Sequence, residues 1–357
     1  MYSNFGEYKV FLAITEKYEM FMPHFIIMVT TFILILIFGL LMLAVFKLLH
    51  GIVDENLGQL NKSLDRLTEG QFEEEISDST LNQFSEISQK INTTVNILKE
   101  DIEKEAQKYS TEFEMAHEIQ VSSLPSVFPA FPDHPEIDVY ARYRSAREVG
   151  GDFYDYFYVG PNKICFVIAD VSGKGIPAAM FMMRAKSALM MFARNSQDPA
   201  KTLYETNNYL CENNIADMFV TAWVGILDIT TGHLIYASAG HNPPMVIDSK
   251  SGKVSQLEAP ISLVLGGLPD IKYKNKEGNF ESGQVLFLYT DGVTEANDKD
   301  SLLFGEIRLI KFLQKQADKS MKEICDTAIE EVDKFADGAE QFDDITVLAI
   351  KYQPPTN

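Results

Sequence analysis

The longest apolar segment of the chain lies near its N-terminus. Residues 25–46 read FIIMVTTFILILIFGLLMLAVF and contain no charged side chain. A helix of this length spans about 33 Å, and the hydrocarbon core of a bilayer is about 30 Å thick. A cleaved signal peptide is shorter and begins earlier, and the length disfavours a buried core helix. The pattern predicts a transmembrane helix over residues 24–47, preceded by a short extracytoplasmic tail over residues 1–23.

Apolar positions recur every three or four residues directly after this segment. A first stretch covers residues 52–67, a second covers residues 81–102, and a polar connector separates them. This order resembles a HAMP signalling module over residues 48–102, although the proline common early in such modules is absent. A generic juxtamembrane coiled coil is the alternative. Both interpretations predict a parallel homodimer, because so narrow an apolar stripe needs a partner helix to cover it.

The second stretch continues toward the C-terminal half of the chain. Its apolar stripe passes through Tyr109, Phe113 and Ala116, which predicts a helical linker over residues 103–120. Such a continuous helix could transmit a change of register to whatever follows it. Proline cannot continue a helix, so the next domain is expected to begin at residue 121. Four prolines follow that point: Pro125, Pro129, Pro132 and Pro135.

Beyond residue 121, strand-like and helix-like segments alternate. Apolar strand-like segments cover residues 164–169, 223–229, 234–237, 285–289 and 345–350. Helix-like segments cover residues 177–194, 199–213 and 320–335. Strands interrupted by pairs of helices predict an α+β sandwich over residues 121–352.

Composition and charge narrow the choice of function. The 357 residues suggest two or three units, and 46% of them are hydrophobic. The formal net charge of −20 argues against nucleic acid as a partner, because phosphate contacts need Lys and Arg. The three cysteines, Cys165, Cys211 and Cys325, form no CxxC pattern and are interpreted as reduced thiols. They favour a cytoplasmic location for this region, in a single-pass protein of the plasma membrane; the positive-inside rule adds only weak support.

Four short acidic motifs carry the candidate chemistry. They are Gly150-Gly151-Asp152, Asp170-Val171-Ser172-Gly173-Lys174-Gly175, Thr290-Asp291-Gly292 and Asp343-Asp344-Ile345-Thr346. An Asp-Gly pair after a strand is by itself usually only a tight turn. Carboxylates gathered at strand ends repel one another unless they are protonated or neutralised, and oxygen ligands favour Mg²⁺ or Mn²⁺ over zinc. The motifs together therefore predict a hard-cation site.

The longer segments around these motifs resemble the SpoIIE/RsbU branch of the PPM metal-dependent serine/threonine phosphatases. They are REVGGDFYD (residues 147–155), IADVSGKGIPAAM (168–180), SAGHNPP (238–244), YTDGVTEA (289–296) and QFDDITVL (341–348). The resemblance covers roughly residues 115–352. It implies a PPM-type sandwich of two antiparallel sheets flanked by helices, with metal ions at one sheet edge.

The resemblance also implies the ligands of two divalent cations, Mn²⁺ or Mg²⁺. Asp170 matches the bridging aspartate, and the Val171 carbonyl matches a ligand of the second ion. Asp291, Asp343 and Asp152 match the remaining acidic positions, and these four aspartates are the expected catalytic residues. Asp344 is expected to support the ligands without binding the ions. Four glycines are expected to let the backbone approach the ions: Gly151, Gly173, Gly175 and Gly292.

The proton donor is not assigned by the resemblance. Eukaryotic-type PPM enzymes have a histidine at the position of Ser172, and the branch that this chain resembles commonly lacks it. His241 is expected to serve the structure of its loop more than catalysis. Arg142, Arg144 and Arg147 are candidates for a phosphate anchor, and at least two of them are expected to lie on a solvated strand face.

The motifs favour a membrane-anchored protein serine/threonine phosphatase that acts in bacterial signal transduction. The resemblance suggests phosphoserine on a STAS-type anti-anti-sigma factor as its substrate. A catalytically weak signalling scaffold of the same fold is one alternative. A sensor histidine kinase is another, because His117-Glu118 lies on a helix after the HAMP-like module, although no ATP-binding glycine boxes follow.

Overall fold

The computed structural model describes residues 5–68 and 82–354. They belong to two compact units, Met1–Lys108 and Tyr109–Asn357. The connector of the predicted HAMP-like module falls within residues 69–81, and these lie outside the described part of the chain. The module itself therefore stays a prediction.

One long helix, α1 (Phe5–Thr68), contains the predicted membrane span. Residues 5–23, predicted as a tail, and residues 52–67, predicted as a separate helix, belong to the same element. From Phe21 onward the helix is long and apolar enough to cross a bilayer, with a mean hydropathy of 3.0 over its most apolar window and none of that window buried. The sequence pattern correctly predicted the helix but divided it into pieces.

A second long helix, α2 (Asn82–Ser123), contains the predicted linker. It is continuous over 42 residues, as the unbroken apolar stripe predicted. The helix ends two residues before Pro125, the first of the four prolines. Its last residues, from Tyr109, belong to the second compact unit.

Two five-stranded antiparallel sheets form the centre of the second unit. The first sheet has the order β1-β10-β9-β6-β7, and the second has the order β2-β3-β4-β5-β8. The strands are β1 (Ile137–Arg144), β2 (Phe153–Gly160), β3 (Lys163–Val171), β4 (Val220–Asp228), β5 (His233–Ala239), β6 (Met245–Asp248), β7 (Val254–Gln256), β8 (Lys276–Asn279), β9 (Gln284–Tyr289) and β10 (Ile345–Tyr352).

Helices cover the outer faces of both sheets. They are α3 (Ile176–Ser196), α4 (Pro199–Cys211), α5 (Asp291–Thr294), α6 (Gly305–Leu313) and α7 (Met321–Ala336). Helices α3 and α4 pack on the second sheet, and α7 packs on β1 and β10 of the first. This arrangement confirms the predicted α+β sandwich of two antiparallel sheets flanked by helices. Half of the strands were not predicted, namely β1, β2, β6, β7 and β8, and neither were α5 and α6.

Strand β10 shows how the sequence specifies the layers. Val347 and Ala349 pack in the cluster that contains α6 and α7, whereas Leu348 and Ile350 pack in the cluster between the sheets. Successive side chains of a strand point to opposite faces. Both faces of β10 are apolar because both are covered, so the strand reads as one continuous hydrophobic run.

A buried ion pair joins α3 to the second sheet. Lys186 Nζ lies 2.6 Å from Asp155 Oδ2, with side-chain exposures of only 12% and 7%. Asp155 Oδ1 also accepts a hydrogen bond from the backbone N–H of Tyr156. The pair fixes the position of α3, the helix that follows the Asp170–Gly175 motif.

Candidate active site

Antiparallel pairing in the second sheet brings two predicted site residues together. Asp152 lies directly before β2, and Asp170 lies near the end of β3. Phe153 pairs with Ala169, so the start of β2 lies beside the end of β3. The two carboxyl groups interact: burial raises the pKa of Asp152, and the charge of Asp170 raises it further.

Antiparallel pairing also brings two predicted site residues together in the first sheet. Asp291 begins α5 directly after β9, and Asp343 lies two residues before β10. Strand β10 pairs antiparallel with β9, with Val347 opposite Tyr289. Asp291 and Asp343 are therefore close enough for the charge of Asp343 to raise the pKa of Asp291.

Asp152 connects the two sheets. Its Oδ2 accepts hydrogen bonds from the hydroxyl groups of Thr290, at 2.6 Å, and Thr346, at 2.8 Å. The side chain is 2% exposed. Burial raises its pKa well above the ordinary value, the charges of Asp170 and Asp344 raise it further, and the two hydroxyls act in the opposite direction. The four acidic motifs thus meet at one edge of the sandwich.

Burial and mutual repulsion disfavour the ionised form of the clustered carboxyl groups. Burial, followed by the charge of Asp291, raises the pKa of Asp170 to about 7. Burial, followed by the charges of Glu295 and Asp343, raises the pKa of Asp291 to about 6. Glu295 was not predicted as part of the site, although its spacing of four residues from Asp291 places both on one helical face.

Glycines let the loops of the cluster approach one another. A Cβ on Gly151 would lie 2.7 Å from the carbonyl oxygen of Val171, one of the predicted ligands. Gly173 and Gly175 have φ angles of +86° and +75°, in the region where residues with a Cβ are strained. Space requires the first glycine, and backbone conformation requires the other two.

Asp344 organises the loop before β2. Its Oδ1 accepts the backbone N–H of Ala146 at 2.7 Å, and its Oδ2 accepts those of Gly151 at 2.6 Å and Asp152 at 3.4 Å. These contacts suit the supporting part expected of Asp344.

Lys174 brings a positive charge to the acidic edge. Its Nζ lies 3.1 Å from Asp343 Oδ2, donates to the carbonyl of Phe342, and lies 4.0 Å from the centre of the Phe342 ring. A flexible ammonium group in this position balances part of the carboxylate charge and can move to another anion.

The donor set fits a hard divalent cation. It consists of carboxylate oxygens and the Val171 carbonyl, and such oxygens suit Mg²⁺ and Mn²⁺. The raised pKa values reflect burial and, after it, charge repulsion, and a bound cation would favour the ionised carboxylates against both. Within the described residues, however, no three His, Cys, Asp or Glu side chains form a group that could hold a metal ion as it stands. The assignment of Asp152, Asp170, Val171, Asp291 and Asp343 as ligands stays a prediction.

Comparison with known families identifies the fold and its motifs. The family described as Stage II sporulation protein E (SpoIIE) matches residues 160–353, more than half of the chain. The chain belongs to the SpoIIE family. The family match begins at the last residue of β2 and ends one residue after β10, so it contains three of the four acidic motifs.

Two relatives extend the similarity of this SpoIIE-family chain. It is 30% identical over 245 residues to the phosphoserine phosphatase RsbU of Bacillus subtilis, covering 69% of this chain and 71% of that protein. It is 33% identical over 268 residues to protein IcfG of Synechocystis sp., covering 67% of this chain. The match covers 41% of IcfG, so the chain spans less than half the length of that relative.

Solved structures support the fold. The SiaA-PP2C domain of Pseudomonas aeruginosa superposes with a TM-score of 0.61 at 24% identity, over 70% of this chain and 98% of that one. The PP2C phosphatase domain of Bacillus subtilis SpoIIE superposes with a TM-score of 0.54 at 19% identity, over 62% of this chain and 64% of that one. At these identities the comparison establishes the sandwich and nothing finer.

His241 of this SpoIIE-family chain is buried within its loop. It is 6% exposed, its Nδ1 lies 2.8 Å from the Thr221 hydroxyl, and its backbone N–H donates to Ser238 Oγ. Burial lowers its pKa to about 4, so the imidazole is neutral at pH 7. A neutral, enclosed ring agrees with the structural role expected for this loop.

The three candidate arginines divide into two groups. Arg142 and Arg144 lie on β1 with 49% and 34% of their side chains exposed, and both form ion pairs with α7, through Asp326 at 2.5 Å and Asp333 at 2.6 Å. Arg147 is exposed and has no ion pair among the described residues. It lines a pocket of about 340 Å³ beside the acidic edge, together with Ala146, Lys174, Asn297, Glu340, Gln341 and Phe342.

Proposed function

We propose that this chain is a membrane-anchored, metal-dependent protein serine/threonine phosphatase of bacterial signal transduction. The observation that carries the proposal is the meeting of four acidic motifs at one edge of a SpoIIE-family sandwich, beside a pocket that presents Arg147 and Lys174. The acidic side suits divalent cations, and the basic side suits the phosphoryl group of a substrate.

The chemistry divides between the cations and the protein. Two bound divalent cations would supply a water of lowered pKa and neutralise charge on the phosphoryl oxygens. Asp152, Asp170, Asp291, Asp343 and the Val171 carbonyl are the groups proposed to hold them. The protein also has to orient the phosphate, and an exposed guanidinium can donate hydrogen bonds to two phosphate oxygens at once. Arg147 is proposed for that role.

Lys174 is proposed to change partners during a cycle. Its ammonium group lies beside Asp343. A cation held by Asp343 would compete with the lysine for this carboxylate, and Lys174 could then reach a phosphate in the neighbouring pocket, which it lines. Its flexible stem and three donors suit such an exchange.

The proposed substrate is phosphoserine on a regulatory protein. RsbU and RsbP of Bacillus subtilis, both named phosphoserine phosphatases, are 30% and 29% identical to this chain over the matched segments. The resemblance of the motifs suggests a phosphorylated STAS-type anti-anti-sigma factor as the partner. An acidic protein of net charge −20 is better suited to such a partner than to nucleic acid.

The long helices supply the proposed anchor and dimer. Helix α1 carries the span over residues 24–47, and the buried, reduced cysteines Cys165 and Cys325 suit a catalytic unit in the cytoplasm. Leu98, Ile102 and Tyr109 of α2 are about half exposed, at 48–59%. Burying this stripe against the same helix of a second copy gives a homodimer through the HAMP-like and linker helices.

The test is hydrolysis of p-nitrophenyl phosphate by the full chain in detergent, with Mn²⁺ and with EDTA. Mn²⁺-dependent turnover is expected, and Asp170→Asn and Asp291→Asn should each reduce it by more than about 100-fold, beyond the 10–100-fold typical of groups behind the ligands. Asp318→Asn, at an exposed position away from the cluster, is the matched control. Turnover that is absent from the wild type would favour the scaffold, and turnover that is unchanged in both variants would overturn the proposed assignment of Asp170 and Asp291 as ligands.

The structure gives the kinase alternative no support. His117 Nδ1 lies 2.7 Å from the carbonyl oxygen of Glu148, so this ring nitrogen is engaged with the loop before β2. Incubation with labelled ATP separates the two activities, because a kinase incorporates the label and a phosphatase does not.

A further inference from the structure

A buried amide side chain holds the backbone immediately before Asp152. Gln120, near the end of α2, is 3% exposed. Its Oε1 accepts the backbone N–H of Gly150 at 3.0 Å, and its Nε2 donates to the carbonyl oxygen of the same residue at 2.5 Å. The amide oxygen of Gln120 can only accept and its amide nitrogen can only donate, so the N–H and C=O of Gly150 together fix the orientation of the Gln120 amide.

Both bonds satisfy groups that have no strand partner. Gly150 is buried and lies in the loop between β1 and β2, so its peptide groups are outside the sheet hydrogen bonds. An unpaired buried N–H or C=O is costly. Gln120 thus acts as a short substitute for a neighbouring strand at this one residue.

The loop needs this support because it contains two consecutive glycines. A Cβ on Gly150 would lie 2.1 Å from Asp344 Oδ2 and 2.4 Å from the Tyr143 hydroxyl, so space requires glycine there. Gly151 is likewise required by its approach to Val171. Glycine has the most backbone freedom of any residue, so the segment that carries Asp152 would be the most mobile part of the site without external contacts.

The external contacts come from two separate segments, the end of α2 and the loop before β10. Asp344 binds the N–H groups of Gly151 and Asp152. Gln120 binds both peptide groups of Gly150. Two residues further along the loop, Asp152 enters the cluster and meets Thr290 and Thr346. We infer that Gln120 is a positioning residue for the metal site, which holds the Gly150-Gly151 segment so that the Asp152 carboxylate is presented to a divalent cation.

This inference rests on the proposed metal-dependent function, and its test separates the two. The variant Gln120→Met keeps the length and volume of the side chain but can form neither hydrogen bond. In the full chain in detergent, the amides of residues 146–152 should exchange with deuterium about tenfold faster than in the wild type, measured in EDTA. Mn²⁺ binding by titration calorimetry should weaken about tenfold, at the lower end of the effect of groups behind the ligands.

Leu124→Ala is the matched control. Leu124 is also buried and lies directly after α2, but it belongs to the hydrophobic core and its side chain can make no hydrogen bond to the loop. Its substitution should lower the melting temperature while leaving Mn²⁺ affinity within about twofold, which distinguishes positioning from general stability. Gln120→Asn, whose amide is one methylene too short to reach both groups of Gly150, is the second variant if the methionine variant does not fold.

The outcomes have distinct meanings. Faster exchange of the loop together with weaker Mn²⁺ binding supports the inference. Unchanged loop exchange, or unchanged Mn²⁺ affinity in a variant whose loop exchanges faster, overturns it while leaving the proposed function intact. A wild-type chain that binds no Mn²⁺ would remove the metal site itself, and with it both proposals.

Discussion

A Cβ on Gly292 would lie 1.9 Å from the carbonyl oxygen of Asp344. Gly292 follows Asp291 at the start of α5, and Asp344 follows Asp343 before β10, so the two acidic loops touch backbone to backbone. A carbonyl group cannot rotate aside as the end of a long side chain can. The absence of a side chain at position 292 therefore sets how closely the aspartates of the first sheet approach one another.

The first prediction is that Gly292→Ala forces these two loops apart. The free energy of unfolding should fall by about 1–3 kcal/mol, as for other overpacked sites, and Mn²⁺-dependent turnover should fall with it. Unfolding can be followed by the fluorescence of Trp223, the single tryptophan of the chain, which is fully buried in β4.

Gly278→Ala is the control for this substitution. Gly278 lies in β8, and a Cβ there would meet no atom within 4 Å. Its stability should change by no more than about 0.5 kcal/mol. An equal effect of the two substitutions would contradict the steric argument.

The second prediction concerns the hydroxyl groups that hold Asp152. Thr346→Val removes one hydrogen bond to Asp152 Oδ2 and leaves the carboxylate less firmly placed. Mn²⁺ affinity, measured by calorimetry, should fall by about tenfold. Thr206→Val is the matched control, because the Thr206 hydroxyl is buried and has no hydrogen-bond partner among the described residues. The Thr206→Val control should leave Mn²⁺ affinity unchanged, and its free energy of unfolding should be unchanged or slightly higher.

The third prediction is a pH dependence of stability that comes from His241. The folded protein keeps this imidazole neutral down to about pH 4, whereas in the unfolded chain it takes up a proton near pH 6.5. The unfolded state therefore binds more protons as the pH falls below 6.5, and the contribution of His241 lowers the free energy of unfolding. The loss should reach about 2 kcal/mol at pH 5 and stop growing near pH 4.

Denaturant unfolding at pH 7 and pH 5 tests this prediction. His241→Gln cannot titrate, so its stability should depend less on pH than that of the wild type by the stated amount, whatever its stability at pH 7. Parallel pH profiles for the two proteins would mean that His241 is accessible to protons in the folded state.

The fourth prediction concerns the buried pair of Asp155 and Lys186. Asp155→Asn leaves the ammonium group of Lys186 buried without its counter-charge, which should cost about 3–5 kcal/mol of unfolding free energy. The double variant Asp155→Asn with Lys186→Met removes the uncompensated charge. The double variant should recover much of the unfolding free energy that Asp155→Asn loses. A double variant as unstable as the single one would show that the lysine was already solvated.

The fifth prediction separates Arg147 from its neighbours. Arg147→Ala should reduce kcat/KM for a phosphoserine protein by about 10–100-fold, the range expected for losing charged hydrogen bonds to phosphate. Arg144→Ala removes the two hydrogen bonds to Asp333 instead. It should reduce kcat/KM by less than about twofold at the same temperature, since its partner lies on α7 and not in the pocket.

Long apolar segments and ordered motifs were predictable from the sequence, and regions without them were not. Strand β3 was predicted because its apolar run lies between clear turns. Strand β2 was missed because it reads FYDYFYVG, is buried on both faces, and contains Asp155, whose charge is tolerated only because Lys186 reaches it from α3. A partner 31 residues away leaves no local signal in the sequence.

The candidate site follows the same division. The four aspartates could be predicted because their motifs resemble those of a known family, and Asp170, Asp291 and Asp343 also lie next to apolar strand-like segments. The threonines that hold Asp152 could not be predicted, because Thr290 and Thr346 look like ordinary strand-end residues until the two sheets are stacked. Gln120 was likewise invisible as a functional residue, since on a helix one buried glutamine has no pattern that distinguishes it.

The unbroken course of α1 has a mechanical consequence. Residues 48–68 continue the proposed membrane span as helix for about 32 Å without a turn. A lever of that length converts a tilt of 10° at the membrane surface into a sideways displacement of about 5.6 Å at Thr68. A small reorientation within the lipid would therefore move the end of the helix sideways by about the pitch of one helical turn.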